Sequence, residues 1–514
     1  MFERPRRPGT ADGTDDPRGR TRPSAGTAPS ANRRGTDDRE DQSVRTGEIP
    51  VRMPWHPTPM STLPWQDRLR ARLRAGSPAL APEKAEPGVS VPRVLDLALR
   101  TGELLLASGE GGEDVEAAML GITDAYGLER CTPNVTFTNL TLSYQPSLVD
   151  PPMTSERVVR RRATDFNRLA EAHRLVEDIT TGELTLEDAY HRLAEIRRNR
   201  HPYPVWLVLV ATGGIAATAS VLVGGGPIVA CAAFFAAMLG EKLAQGLARR
   251  GVPEFYQFVL AAMPAAATAV GLIKADIGVQ PYAVVTGGLF ALLPGRALVA
   301  AVQDGLTGFY ITASARLLEV FYLIIGIICG VSIMLYAGNQ LGVNLTIEGS
   351  FYPTSRPLVQ LLAAAGVSLT FAVLVQVRPR ALVIALIGGA CSWSIFEVLR
   401  IAGASPILAT VTATGVVGLL GQLLARAGRT SALPYIIPSI GPLLPGSAIY
   451  QGLLGLALGH TDRGWIGLTN AAGLALALAV GVNLGSEVAR FVLPAPQRGV
   501  GSTKRAAAKR TRGF

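Results

Sequence analysis

From Pro204 to about Phe491 the chain is a nearly unbroken succession of apolar runs, parted by short polar loops, glycines and prolines. Each run holds about 20 residues, enough for a helix to cross a hydrocarbon core of roughly 30 Å. The runs predict ten spans, over 204–223, 227–247, 253–273, 281–301, 315–337, 357–376, 380–399, 405–425, 432–458 and 466–490. The expectation is a mainly α, multi-pass membrane protein. So many spans imply a pore or a transporter.

Ahead of the spans the pattern changes twice. Residues 1–90 are rich in Arg, Asp, Pro, Gly, Ser and Thr, with too few apolar residues to offset the entropy of ordering a core, so a disordered tail is expected. Over 91–107 and 113–126 apolar residues recur at helical spacing, 134–144 alternates as a strand does, and 163–178 and 185–199 read as amphipathic helices. They predict a small α+β domain over 91–203. Thr180-Thr181-Gly182 parts its last two helices, and His201-Pro202-Tyr203-Pro204 ends the second at the first span. The transmembrane region is then 204–491, and 492–514 is a basic tail.

The chain is only 48% hydrophobic because nearly all its charge lies outside the spans. A net charge of +10 would suggest nucleic acid in a soluble protein. Here the basic residues flank membrane segments, where they orient the chain and meet anionic lipid, so the expected partner is the bilayer and not nucleic acid. With the N-terminal side in the cytoplasm, the inside loops hold Lys242, Arg249 and Arg250; Arg296 and Arg316; Arg378 and Arg380; and Arg426 and Arg429. The outside loops hold only Lys274, Arg356, Arg400 and Arg463. Both termini are expected in the cytoplasm, which requires an even number of spans. No apolar stretch precedes residue 200, so the first span is expected to direct insertion without a cleavable signal peptide. Four scattered cysteines, Cys131, Cys231, Cys329 and Cys391, lack metal or redox spacing.

The spans also repeat. Pro281-Tyr282 followed by Leu292-Leu293-Pro294-Gly295 is echoed by Pro434-Tyr435 followed by Leu443-Leu444-Pro445-Gly446. This divides the region into two five-span halves, about 204–340 and 357–491, and an odd count inverts the second against the first. Inverted repeats are a recurring transporter plan, and spans interrupted at matching places point to a midplane binding site, where broken helices expose backbone groups. Pro294, Gly295, Pro445 and Gly446 are therefore candidates for the substrate pathway. Against this, Pro-Gly also merely kinks or ends membrane helices.

The segment LLPGRALVAAVQDGLTGFYITASARLLEV (292–320), with LLLASGEGGEDVEAAMLGITDAYGL (104–128) and NVTFTNLTLSY (134–144), resembles the threonine/serine exporter family. Three separated motifs in order carry the resemblance, which covers roughly 91–490. It implies a cytoplasmic N-terminal domain joined to about ten spans in the cell membrane, and export of small amino acids by the proton gradient, as in an antiporter. Some relatives are split into two shorter chains and are associated with dicarboxylate export, which is the alternative substrate class. The resemblance leaves a homo-oligomer open.

Charged groups at membrane depth cost at least a few kcal/mol unless paired, hydrated or facing a cavity. Asp304 follows the first Pro-Gly inside the family-like QDGLTG segment, where a carboxylate could bind the substrate ammonium or accept a coupling proton. Glu241, beside Lys242 at the end of the second span, and Glu397, beside Arg400 in the seventh, are the other candidates for the substrate and proton pathway. Arg316 with Glu319, three residues apart, reads as a surface pair, and Glu487 with Arg490 as an interfacial one. In the N-terminal domain Glu113, Asp114 and Glu116 follow Gly109-Glu110-Gly111-Gly112 and begin a helix. Acids in a first turn are favoured by the macrodipole without any function. The functional alternative is a regulatory acidic patch, and three carboxylates could also hold a divalent cation.

HExxH, GxSxG, CxxC and P-loop motifs are absent, so neither catalysis, a cofactor, a metal nor bound ATP is expected, and transport would draw on an ion gradient. The reading is a proton-coupled exporter of threonine and serine. A membrane-anchored hydrolase or a sensor ranks below it.

Overall fold

The computed structural model describes residues 90–159, 164–198, 201–278, 281–343, 356–428, 430–457 and 460–492. The tail expected to be disordered before residue 90, the basic tail after 492 and Arg160-Arg161-Arg162 lie outside the described residues.

The N-terminal domain opens with α1 (Val91–Ala107) and α2 (Gly112–Ala125). Three antiparallel strands follow in chain order, β1 (Cys131–Val135), β2 (Asn139–Tyr144) and β3 (Met153–Val158), then α3 (Phe166–Thr180) and α4 (Leu186–Arg198). The single strand expected over 134–144 is a hairpin instead: Thr136 N–H donates to Asn139 O at 2.9 Å and its hydroxyl to the same oxygen at 3.0 Å, turning the chain where alternation runs on. The sequence pattern missed β3, because its half-exposed MTSERV offers no apolar face. Asp165 fixes the start of α3 by accepting from the N–H groups of Asn167 and Arg168, both at 3.0 Å, and its other oxygen meets His201 Nδ1 at 2.8 Å. Leu95, Leu105, Met119, Ile122, Leu140 and Phe166 fill the core of this domain and are almost fully buried.

The remaining chain is helical. The first half comprises α5 (Val205–Leu222), α6 (Pro227–Arg249), α7 (Glu254–Lys274), α8 (Pro281–Phe290), α9 (Gly295–Leu306) and α10 (Tyr310–Gln340). The second comprises α11 (Pro357–Leu374), α12 (Pro379–Ile401), α13 (Pro406–Gly428), α14 (Leu433–Ser439), α15 (Gly446–Ala457) and α16 (Thr461–Val492). Among the described residues eight helices, α5 to α7, α10 to α13 and α16, are long and apolar enough to cross a membrane. The expectation of ten spans is corrected to this extent: the fourth and ninth are each divided into shorter helices.

Packing here inverts the logic of the N-terminal domain. Alanines such as Ala216, Ala262 and Ala413 are buried, whereas Trp206, Phe235, Ile311 and Leu362 are exposed. Lipid is as apolar as leucine, so helices associate through small residues that let backbones approach. A Cβ on Gly330 of α10 would lie 2.1 Å from Val259 O of α7, and one on Gly485 of α16 would lie 2.0 Å from Gly415 O of α13.

Those two crossings occupy matching places, and the same holds for the contacts within each half. In the first half α5 packs on α6 and α8, α6 on α7 and α8, α7 on α8 and α10, and α9 on α10. In the second, α11 packs on α12 and α14, α12 on α13 and α14, α13 on α14 and α16, and α15 on α16. The halves meet where α5 lies on α11, α8 on α15 and α9 on α16.

Candidate functional site: two cavities beneath the broken helices

Proline has no N–H and its ring crowds the preceding turn, which kinks a helix or breaks it, and at Pro294 and Pro445 the helix is broken. Helix α8 stops at Phe290, Leu293 N–H folds back to Leu289 O at 3.1 Å, and α9 restarts with Leu298 N–H donating to Pro294 O at 3.0 Å. In the second half α14 stops at Ser439, a single 3-10 turn covers Gly441–Leu443, and α15 restarts with Ile449 N–H donating to Pro445 O at 3.0 Å. The two breaks touch reciprocally. A Cβ on Gly295 would lie 2.9 Å from Leu444 Cδ2, and one on Gly446 would lie 2.6 Å from Phe290 Cδ2 and 3.1 Å from Leu293 Cδ1. Each glycine thus makes room for the leucine that precedes the other break's proline.

A cavity of about 470 Å³ lies against this joint, walled by the turn from Phe290 to Pro294, by Leu444, and by apolar side chains of α5, α10 and α11. Its ionisable lining is Glu254 on α7 and Arg316 and Glu319 on α10, joined by Gln257. The N-terminal domain contributes Gly109 and Thr164. A second cavity of about 100 Å³ lies between Gly109–Asp114 of that domain and Gln303, Asp304, Asn483 and Glu487 of the helices. Arg316 borders both.

Arg316 therefore stands between the two cavities, with Asp304 beside it on the smaller one. Asp304 is 1% exposed and Arg316 6%, and Asp304 Oδ2 lies 3.1 Å from Arg316 Nη1. Asp304 Oδ1 accepts a long 3.4 Å bond from Gly112 N–H at the start of α2, the cation-like end of a helix. The structure thus buries Arg316 and turns it to Asp304, in place of the surface pair expected with Glu319.

The N-terminal domain is docked by more than this contact. Glu110, buried, pairs with buried His173 and accepts from Ser431 Oγ at 3.4 Å. Phe166 N–H donates to Val375 O at 3.0 Å, Tyr203 Oη to Val377 O at 2.8 Å, and Arg378 reaches Asn167 Oδ1 at 3.0 Å and Glu171. Burial holds the Arg378 guanidinium below its ordinary pKa, against the opposing pull of Glu171, and burial raises that of the Tyr203 phenol. Val299, Phe309, Val375 and Ile436 belong to the same hydrophobic core as the N-terminal domain's leucines.

Of the sequence candidates, Pro294, Gly295 and Gly446 come together at this joint, Pro445 sets the second break, and Asp304 lies further along α9, lining the smaller cavity. Glu113 and Asp114 line the smaller cavity, with Glu113 exposed, while Glu116 turns away to accept from Val135 N–H at 3.4 Å. Among the described residues no trio of His, Cys, Asp or Glu is arranged to hold a metal ion. Glu241 and Glu397 are not brought in. Glu241 lies on α6 and accepts from Gln245 Nε2 at 2.8 Å. Glu397 lies on α12, roughly 28 Å beyond the Arg378 contact at about 1.5 Å per residue. Sequence reasoning passed over Glu254, Gln257 and the Glu110–His173 pair, and read Glu319 as a surface residue. For Glu254 and Glu319 the available signal was that an ionisable side chain inside an apolar run is costly unless paired or facing a cavity; for the Glu110–His173 pair the sequence held none.

Broken helices meeting over a polar cavity, ringed by helices of membrane-spanning length, define a multi-pass membrane protein with a central chamber. Residues 96–337 match a family described as a putative threonine/serine exporter, and residues 360–488 match a second described as threonine/serine exporter. The chain is 34% identical over 406 residues to a probable threonine/serine exporter of Mycobacterium tuberculosis, covering 77% of this chain and 76% of that one. It is 30% identical over 425 residues to a threonine/serine exporter of Corynebacterium glutamicum, covering 81% and 87%. This chain belongs to the threonine/serine exporter family. No solved structure matches it significantly.

Proposed function

We propose that the protein exports threonine, serine and similar small amino acids from the cell, exchanging them for protons, with both termini in the cytoplasm. The observation that carries this reading is the reciprocal seating of Gly295 on Leu444 and of Gly446 on Leu293 over a polar chamber. Two halves with matching partners and a shared joint are what inverted repeats provide in secondary transporters, whose sites lie where broken helices release backbone groups. The first-turn N–H groups of α9 lack partners within their own helix, and Pro294 and Ala297 of that turn line the chamber. The basic-residue count supports the orientation, since the Arg378 loop on the N-terminal domain's face is among the richer ones.

Asp304 is the candidate for proton coupling. A carboxylate can hold a proton or a ligand ammonium but not both, and that mutual exclusion is what exchange requires. Purified protein in liposomes loaded with labelled threonine gives the test. Efflux should follow an imposed pH gradient, inside alkaline, and collapse when an ionophore dissipates it. Efflux indifferent to the gradient, or no faster than from protein-free liposomes, refutes the proposal.

A further inference from the structure

We infer that the protein holds its cargo tightly on the side of the N-terminal domain and loosely on the opposite side, because the charged groups of the chamber belong to the first half alone. This rests on the exporter reading and adds to it how the two faces differ. Helix α9 maps onto α15 and the start of α10 onto that of α16 without a gap, Gly295–Leu306 onto Gly446–Ala457 and Tyr310 onto Thr461. Packing agrees with this register: a Cβ on Gly481 of α16 would lie 2.5 Å from Val411 O of α13, as one on Gly330 of α10 would lie 2.1 Å from Val259 O of α7. Asp304 then falls on Gly455, Arg316 on Gly467 and Glu319 on Asn470, while Arg296 falls on Ser447. Between α7 and α13 the same comparison sets Glu254 on Pro406 and Gln257 on Ala409.

The missing charge has a packing cause. Helices α15 and α16 meet backbone to backbone: a Cβ on Gly455 would lie 2.7 Å from Gly464 N, and one on Gly467 would lie 2.5 Å from Gly452 N, so neither position admits a side chain. The same positions of α9 and α10 carry Asp304 and Arg316, which pair across their hairpin. Nor is charge supplied nearby, since 406–425, 446–459 and 464–486 contain no Asp, Glu, Lys or Arg. Helices α9 and α10 line the larger cavity together with the N-terminal domain, and among the described residues none of α15 or α16 borders it. Rocking of inverted repeats about a fixed site exchanges the roles of the halves, so the opposite conformer lines its opening with the matching positions of the second half. An α-amino acid entering from the side of the N-terminal domain meets charged partners in a partly dehydrated space, where a charge-assisted bond is worth about tenfold in affinity. On the far side only neutral polar groups and backbone answer its charges. Weak outer binding favours release over recapture, while the gradients alone fix the final ratio of concentrations.

Right-side-out membrane vesicles, held at equal pH on both sides by an ionophore, test this with labelled threonine. Efflux from vesicles loaded at graded concentrations gives the KM of the inner face, and uptake of external threonine gives that of the outer face, each corrected for vesicles lacking the protein. The outer KM should exceed the inner by about tenfold or more. Arg316→Gln and Glu319→Gln should each raise the inner KM about fivefold or more and leave the outer KM within about twofold, a one-sided change that general loss of packing does not produce. Melting of each variant in detergent reports folding, and if neither folds, the wild-type comparison decides. Equal KM values in wild type, a larger inner one, or folded variants that raise both or neither overturn the inference and leave the exporter reading standing. Vesicles that move no threonine in either direction overturn both.

Discussion

Gly446→Ala tests whether the joint between the breaks shapes the chamber. The added methyl carbon would sit 2.6 Å from Phe290 Cδ2 and 3.1 Å from Leu293 Cδ1, where carbon contacts are best at about 3.5–4.0 Å. The Phe290 ring must therefore give by roughly 1 Å, and overpacking of this kind costs about 1–3 kcal/mol. Phe290 and Leu293 both line the larger cavity, so the open direction for them is into it. Empty protein relieves the strain that way, but occupied protein cannot, and the cost then falls on substrate binding at about tenfold for each 1.4 kcal/mol. We expect the KM for gradient-driven threonine efflux from liposomes to rise about fivefold or more, with normal membrane insertion. Gly295→Ala, whose methyl would meet the flexible end of Leu444 at 2.9 Å, should show the smaller effect of the two. A parental KM in Gly446→Ala, or the reverse ranking, would mean that the joint is architecture and that substrate sits elsewhere.

Asp304→Asn should abolish the response of export to a pH gradient while keeping the protein folded, because the amide still accepts from Arg316 but takes up no proton; parental rates across the gradient would make Asp304 structural. A cysteine placed at Gly342, beyond the end of α10, should react with an impermeant thiol reagent on intact cells. Labelling only after the membrane is opened would reverse the orientation. Burial foremost, with Asp124 nearby, pushes the Cys131 thiol up to about 11, and since only the thiolate reacts, its alkylation in a protein stripped of the other cysteines should keep accelerating up to about pH 11. A plateau near pH 9 would show it to be solvated.

The sequence carried most of the architecture, because helices in lipid must be long, apolar and internally hydrogen-bonded, and that constraint is written locally. Helix α1 fell on its expected bounds over 91–107, and the breaks fell at the expected Pro-Gly pairs. Contacts between distant segments were not legible. The pattern around Arg316 favoured its neighbour Glu319 at i+3, whereas the turn at Gly308, with φ +91, swings α10 back along α9 and offers Asp304 instead. Glu110 and His173 look like ordinary domain residues until folding pairs them and brings Glu110 to Ser431, 321 positions away.

Docking of the N-terminal domain has a thermodynamic consequence. Its Gly112 amide and the ring of Phe309 tie it to the first half, while Ser431, Val375 and Arg378 tie it to the second. Any rocking of one half against the other must stretch, break or carry along some of these ties, so the grip of the domain differs between conformers. By linkage, whatever tightens or loosens that grip shifts the balance of conformers by the same factor. Binding that strengthened or weakened those ties from the aqueous side would then act on the chamber through a domain that itself helps to line it.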